Sequence, residues 1–285
     1  VKGRRIIIAG GGTGGHIFPA LSIAHALRAA EPDVEILFVG AKGRMEMEKV
    51  PEAGYPIEGI DIAGFDRQAL WKNITLPLRL IKSFRQVRQI TTRFRPQAVI
   101  GVGGYSSFPV LRFAQSKGIP TFIHESNSFA GKSNILLGRR ATRVFTATEG
   151  MQRYFPADRI TVTGNPVRKD IVHSSLTREE GILHFGLDPG KTTILSMGGS
   201  LGARSINEAM EAGLDTIVSK GIQLIWQTGK AFASRAAASA AGRQGIWTSA
   251  FIREMPYAYA AADLVVSRSG AMSVTEISVA SKASV

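Results

Sequence analysis

Residues 4–16 read RRIIIAGGGTGGH: two arginines, the apolar run Ile6–Ala9, then five glycines around Thr13 and a closing His16. A short apolar run closed by glycine is the pattern of a strand buried on both faces of a parallel sheet. A loop leaving such a strand ahead of a helix is suited to holding an anion. Glycine admits positive φ and lets backbone N–H groups turn inward, and the helix start adds partial positive charge.

Gly10, Gly12 and Gly15 also satisfy the G-x-G-x-x-G spacing of a dinucleotide site. In that fingerprint the helix opens within the glycines, and an acidic residue about twenty positions on binds the ribose. Here Pro19 reads as the first helical position, which leaves His16, Ile17 and Phe18 in an extended loop. The second strand, VEILFVG at 34–40, runs into GAKGR without an acid. The spacing lacks its context, so a nicotinamide-dependent oxidoreductase or nucleotide-sugar epimerase is the competing reading.

Outward from this loop, strand and helix patterns alternate along the chain, which predicts α/β layers with parallel sheets. PALSIAHALRAA (19–30) has helical spacing, and QAVIGVGGYSSFP (97–109) repeats strand, glycines and helix start. The strands PTFIHE, RVFTA and RITVTG follow. The polar, turn-rich stretch at 164–180 marks a boundary between domains 1–165 and 166–285. The second domain restarts with TTILSMGGSLGARSINEAM (192–210), where Ser205 and Glu208 are spaced as a capping box. IQLIWQTGK and GIWTSAF supply strands, and ADLVVSRSGAMSVTEISVA (262–280) again gives strand, loop and helix. Each half thus carries a glycine-rich loop at the carboxyl end of a strand, where open α/β sheets bind ligands. Two such sheets facing one another would enclose a cleft.

Composition narrows the function classes. With 285 residues and 44% hydrophobic content the chain can fill two medium cores. It contains no cysteine, which removes disulfides and thiolate metal sites and suits a reducing compartment. No run approaches the roughly 18 apolar residues of a membrane span, so the expectation is a protein in solution or resting on a surface. A net charge of +13 calls for an anionic partner. Residues 67–95 hold eight basic residues and no acid, interleaved with Leu76, Leu80, Ile81, Phe84, Val87 and Ile90. That segment reads either as a packed helix with a solvated basic face or as a helix lying on an anionic bilayer. No helix-turn-helix, zinc or stacking motif accompanies it, so nucleic acid is not the expected partner. Val at position 1 and the apolar close at KASV, which starts like another strand, suggest a fragment.

GGGTGGH, GVGGYSSFP, HESNSFAG, GNPVR, GGSLGA and SRSGAMSVTE, in this order over essentially the whole chain, closely resemble the MurG family of UDP-N-acetylglucosamine transferases of peptidoglycan synthesis. The resemblance implies a GT-B fold: two Rossmann-like domains with parallel sheets around a cleft, the second incomplete here. The first would face acceptor and membrane, the second would bind the UDP-sugar. The implied reaction moves N-acetylglucosamine from UDP-N-acetylglucosamine to lipid I with inversion, giving lipid II. The implied setting is the cytoplasmic face of the bacterial inner membrane, with the enzyme held peripherally through segment 67–95. The family continues past KASV with a donor-sugar loop and helices that this chain lacks.

Within that resemblance the residues take roles. An inverting transfer needs a base for the acceptor hydroxyl and charge stabilisation for the departing diphosphate. There is no D-x-D motif for a metal and no cofactor is implied, so protein groups must meet the leaving charge. Candidates are the GGSLGA amides with Ser200, and the Arg168 guanidinium, for which an interdomain linker charge is the alternative. His16 is the candidate base, with Thr13, Gly14 and Gly15 beside it near the sugars. Glu125 and His124 form a competing acid–base pair. Asn127 is similar to the family's sugar-contacting asparagine, and Gly103, Gly104 and Tyr105 lie on the acceptor side. Ile252 matches the position whose backbone recognises uracil. Glu276 matches the ribose-binding glutamate, and Ala271, Met272, Ser273, Val274 and Thr275 share its donor-binding motif. Ser273 and Glu276 are equally a capping box that needs no ligand. His25, His173 and His184 read as surface or packing residues.

Overall fold

The opening apolar run forms β1 (Arg5–Ala9), and it is buried on both faces as its composition requires. The computed structural model describes residues 3–62 and 76–285. Residues 67–75 of the basic segment, including Arg67 and Lys72, lie outside the described residues. The chain forms two units, Val1–Pro166 and Val167–Val285.

The first unit runs β1, α1 (Gly14–Ala30), β2 (Glu35–Ala41), α2 (Glu46–Glu52), β3 (Ile57–Ile60), α3 (Leu76–Phe94), β4 (Ala98–Gly101), α4 (Ser107–Ser116), β5 (Thr121–Glu125), α5 (Lys132–Gly138), β6 (Arg143–Thr146) and β7 (Ile160–Val162). Its seven strands are parallel in the order β3-β2-β1-β4-β5-β6-β7. Side chains alternate across each strand, so β1 feeds two cores. Ile7 and Ala9 join Leu37, Val99, Ile123 and Leu111 on one face. Ile6 and Ile8 meet Ile17, Ala20 and Ala24 of α1 on the other.

Two expectations are corrected in this unit. Helix α1 opens at Gly14 rather than at Pro19, because the N–H groups of His16 and Ile17 both donate to the Thr13 carbonyl at 3.1 Å. Pro19 sits inside the helix, where it lacks the N–H that would bond four residues back. His16 therefore rides the first helical turn, and the helix does open within the glycines. The basic helix α3 packs along part of its length. Its carboxyl half packs through the buried Val87 and Ile90, while Leu78, Leu80 and Ile81 of its amino half are exposed.

The second unit runs α6 (Lys169–Val172), α7 (Arg178–His184), β8 (Thr193–Met197), α8 (Arg204–Ser219), β9 (Gln223–Gln227), α9 (Ala233–Ala240), β10 (Ile246–Ser249), α10 (Met255–Ala261), β11 (Leu264–Ser267), α11 (Ala271–Val279) and β12 (Ala283–Ser284). The five strands are parallel, ordered β10-β9-β8-β11-β12. Leu195, Ile225 and Val265 build one core with α7, α10 and α11, and Leu224 and Trp226 build the other with α8 and α9.

Neither proposed capping box forms. Helix α8 starts at Arg204 with Ala203 as its N-cap, so Ser205 is already inside the first turn and Glu208 accepts from Arg204 at 2.7 Å instead. Helix α11 is capped by Gly270, which puts Ser273 within the helix and leaves Glu276 for other partners. A capping box forms instead between Thr177 and Glu180 at the start of α7.

Candidate functional site

Strand order reverses between β1 and β4 in the first sheet and between β8 and β11 in the second. Loops leaving the two central strands diverge there, opening a crevice at their carboxyl ends. The quoted motifs occupy these points: GGGTGGH follows β1 and GVGGYSSFP follows β4, while GGSLGA follows β8 and SRSGAMSVTE follows β11.

In the first unit, the two glycine loops touch. Gly103 and Gly104 hold φ of +93° and +84°, conformations that L side chains rarely adopt. A Cβ on Gly104 would lie 2.3 Å from the Gly11 carbonyl oxygen, and one on Gly103 would lie 2.8 Å from the His16 ring. The loops thus pack backbone to backbone, with the imidazole between them. Thr13, the α1 N-cap, brings its hydroxyl to 3.3 Å from His16 Nδ1. Burial pushes the His16 pKa below the ordinary imidazole value; Glu125, the Gly11 backbone and Glu46 pull it back up. The ring is therefore held neutral near neutral pH, the state a general base requires. Gly14 is buried behind it, Gly15 is exposed, and Tyr105 is 57% exposed on the neighbouring loop.

Glu125 and His124 are both held in hydrogen-bond networks. Glu125 Oε1 accepts the Asn127 backbone and side-chain N–H groups at 3.1 and 3.0 Å. Its Oε2 accepts from Gly131 N at 3.1 Å and Asn134 Nδ2 at 2.8 Å. His124 is buried, with Nε2 3.3 Å from the Gly164 carbonyl and Nδ1 3.3 Å from Ser126 Oγ, and burial lowers its pKa. Both side chains brace the loop that presents Asn127.

Sequence reasoning missed the acid of the first loop. Glu46, at the start of α2, is 1% exposed; its Oε2 accepts the Gly12 N–H at 2.8 Å and its Oε1 the Ala41 N–H at 2.9 Å. A Cβ on Gly11 would lie 2.2 Å from its Oε1, and one on Gly40 2.5 Å from its Cγ. The second strand therefore does lead to an acid, but its carboxylate is spent on loop amides and offers nothing to a ribose. A glutamate opening a helix ordinarily reads as a favourable dipole charge, so its spacing gave no signal.

In the second unit GGSLGA turns through Gly199 and Gly202 at φ of +82° and +81°, with Ser200 half-buried on the turn. A Cβ on Gly202 would lie 2.1 Å from the Thr228 carbonyl oxygen, so this loop too requires glycine where it meets the next strand end. The first turn of α11 carries Ala271, Met272 and Ser273, whose N–H groups lie at the positive helix end, followed by Val274 and Thr275. One turn on, Glu276 is 9% exposed; its Oε2 accepts from the Tyr259 hydroxyl at 3.1 Å and its Oε1 lies 3.7 Å from Arg168 Nε. Burial raises the Glu276 pKa, opposed by Arg168 and Tyr259. Arg168 thus meets a carboxylate within its own unit.

Ile252 is 3% exposed and donates its N–H to Gln227 Oε1 at 2.9 Å, while Gln227 Nε2 donates to the Gly199 carbonyl at 3.3 Å. Gln227 and Tyr259 were not among the candidates. Both sit in apolar runs whose periodicity marks them only as core. Among the described residues no group of three or more His, Asp or Glu could hold a metal, and no helix is long and apolar enough to cross a membrane.

Residues 6–146 match the glycosyltransferase family 28 N-terminal domain, and residues 193–285 match the glycosyltransferase family 28 C-terminal domain. The chain is 53% identical over 275 residues to a UDP-N-acetylglucosamine–N-acetylmuramyl-(pentapeptide) pyrophosphoryl-undecaprenol N-acetylglucosamine transferase from Phocaeicola vulgatus, covering 95% of this chain and 73% of that relative. Its fold is similar to the crystal structure of MurG from Acinetobacter baumannii at a TM-score of 0.65 and 28% identity, covering 97% of this chain and 76% of that one. A UDP-GlcNAc 2-epimerase from Neisseria meningitidis, solved with UDP-GlcNAc bound, matches at a TM-score of 0.65 but 11% identity, over 94% of this chain and 78% of that one. That likeness is one of fold alone.

Proposed function

The chain belongs to the MurG family of family 28 glycosyltransferases, and from this membership we infer that it transfers N-acetylglucosamine from UDP-N-acetylglucosamine to the muramyl sugar of a pyrophosphoryl-undecaprenol-linked acceptor. It is a hexosyltransferase of peptidoglycan synthesis, converting lipid I to lipid II. The observation that carries the site reading is that each sheet brings glycine-rich loops to its own reversal point.

In this reaction His16 accepts the proton of the attacking acceptor hydroxyl, with Thr13 fixing its ring through Nδ1. Thr13, Gly14 and Gly15 bind UDP-N-acetylglucosamine, as does Asn127, steadied by Glu125, while Gly103, Gly104 and Tyr105 line the acceptor side. The departing diphosphate is met by the 199–203 amides, Ser200 and Arg168. The Glu276 carboxylate accepts from the ribose hydroxyls, and Ala271, Met272, Ser273, Val274 and Thr275 shape the same pocket. Ile252 reads the uracil, its N–H already committed to Gln227. None of these roles draws on a metal.

The acceptor's lipid anchor gives α3 a purpose. Leu78, Leu80 and Ile81 are exposed beside Arg79, Arg85 and Arg88, which form no ion pair with a described residue. Each cation near an anionic surface contributes about 1 kcal/mol, enough for reversible peripheral binding at the cytoplasmic face of the inner membrane.

The test is transfer of radiolabelled N-acetylglucosamine to lipid I in vesicles by the enzyme carrying this sequence. Glu276→Ala should raise donor KM at least about tenfold, and His16→Ala should lower kcat by about 10²–10⁴. Absence of lipid II from the wild-type reaction would overturn the assignment.

A further inference from the structure

A glycine-rich turn at a strand's carboxyl end ordinarily keeps its inward amides for a substrate anion. The turn after β1 does not. The Gly12 N–H donates to a buried carboxylate on the following α/β unit, and that carboxylate's second oxygen ties down Ala41 at the end of β2. The absence of a side chain at Gly11 and Gly40 is what lets the carboxylate reach these amides. The same turn ends at Thr13, the cap of the helix that carries His16. The shape of the turn and the direction of the imidazole are therefore set together.

We propose that Glu46 is a positioning residue: its carboxylate is the resident anion at the Gly12 amide of this turn, closing that amide to substrate phosphate and fixing the helix start that aims His16. The proposal rests on the transferase reading only for its kinetic consequence. The Gly12 amide is then not a phosphate contact, because a second anion there would meet a buried negative charge. Two carboxylates act on the His16 ring, Glu125 and Glu46, and both favour its protonated form. Removing the Glu46 charge should therefore lower the pH at which the ring titrates.

Glu46→Gln and Glu46→Asp separate charge from reach. In the enzyme carrying this sequence, Glu46→Gln should lower kcat about tenfold or more with donor KM held within about twofold. The His16 ring, followed by NMR, should titrate at lower pH in that variant. Glu46→Asp keeps the charge but cannot span both amides, so kcat should fall while the midpoint stays near the wild-type value. In the wild-type protein the Gly12 and Ala41 amides should be protected from hydrogen exchange and unmoved by millimolar inorganic phosphate.

Unchanged kcat and an unmoved His16 midpoint in Glu46→Gln overturn the proposal. So does a phosphate-induced shift of the wild-type Gly12 amide, a reading that needs no variant to fold. If the wild-type enzyme makes no lipid II, the transferase reading fails, while the exchange and phosphate measurements still decide the role of Glu46.

Discussion

Replacing Glu125 separates bracing from proton transfer. In Glu125→Ala the carboxylate's four hydrogen bonds are lost. Asn127 is exposed and its two donors recover water. Gly131 is exposed as well and its N–H recovers water, whereas the Asn134 side chain, buried at 6% exposure, is left with a stranded donor. For one stranded donor the loss is about 1–3 kcal/mol. Glu125→Gln keeps one oxygen for Asn127 and turns an amide NH₂ toward Gly131 and Asn134. Asn134 can rotate to present its oxygen and the Gly131 N–H recovers water, so no donor is stranded and the loss stays below about 1 kcal/mol. Hydrogen exchange of the β5 amides reads these values within the first unit, without assuming that both units unfold together. A general base would show a different signature, a kcat loss of about 10²–10⁴ in Glu125→Gln whatever its stability. A Glu125→Ala protein within about 0.5 kcal/mol of wild type would refute the bracing argument. So would a fully stable Glu125→Gln enzyme whose turnover collapses.

Three further outcomes follow from the same geometry. Gly104→Ala should cost about 2–4 kcal/mol in exchange-derived stability, since it combines φ of +84° with a 2.3 Å approach to the Gly11 oxygen; Gly43→Ala, at φ +69° with open space, should cost only about 1–2 kcal/mol. Replacing Leu78 and Ile81, 70% and 54% exposed, by serine should weaken flotation with phosphatidylglycerol vesicles about tenfold or more and leave unfolding unchanged; undiminished binding would remove α3 from the membrane. Hydrogen bonds from Gln86, Lys42 and Lys82 pull the Asp61 carboxyl from 3.8 down to about 2. The anchorage of α3 should therefore persist above pH 3.8 and be lost as pH falls through about 2, and Asp61→Asn should abolish that acid-dependent step in α3 amide protection.

The layer architecture and the loops that matter are written in local sequence patterns. Buried parallel strands leave continuous apolar runs, and loops that must pack backbone against backbone leave glycines; both are local signals. Residues 10–16, 101–109, 198–203 and 267–276 could accordingly be placed at strand ends before any fold was known. Local spacing misled at helix starts, because Pro19, Ser205 and Ser273 each suit a helix boundary that neighbouring backbone bonds set a few residues earlier. Which polar groups are already spent depends on the folded chain. Glu46 meets Gly12 across 34 residues, Tyr259 meets Glu276 across 17, and Gln227 meets Ile252 across 25. A hydrogen bond depends on two groups meeting within about 3 Å, and a one-dimensional pattern records neither that distance nor the burial that makes the meeting matter.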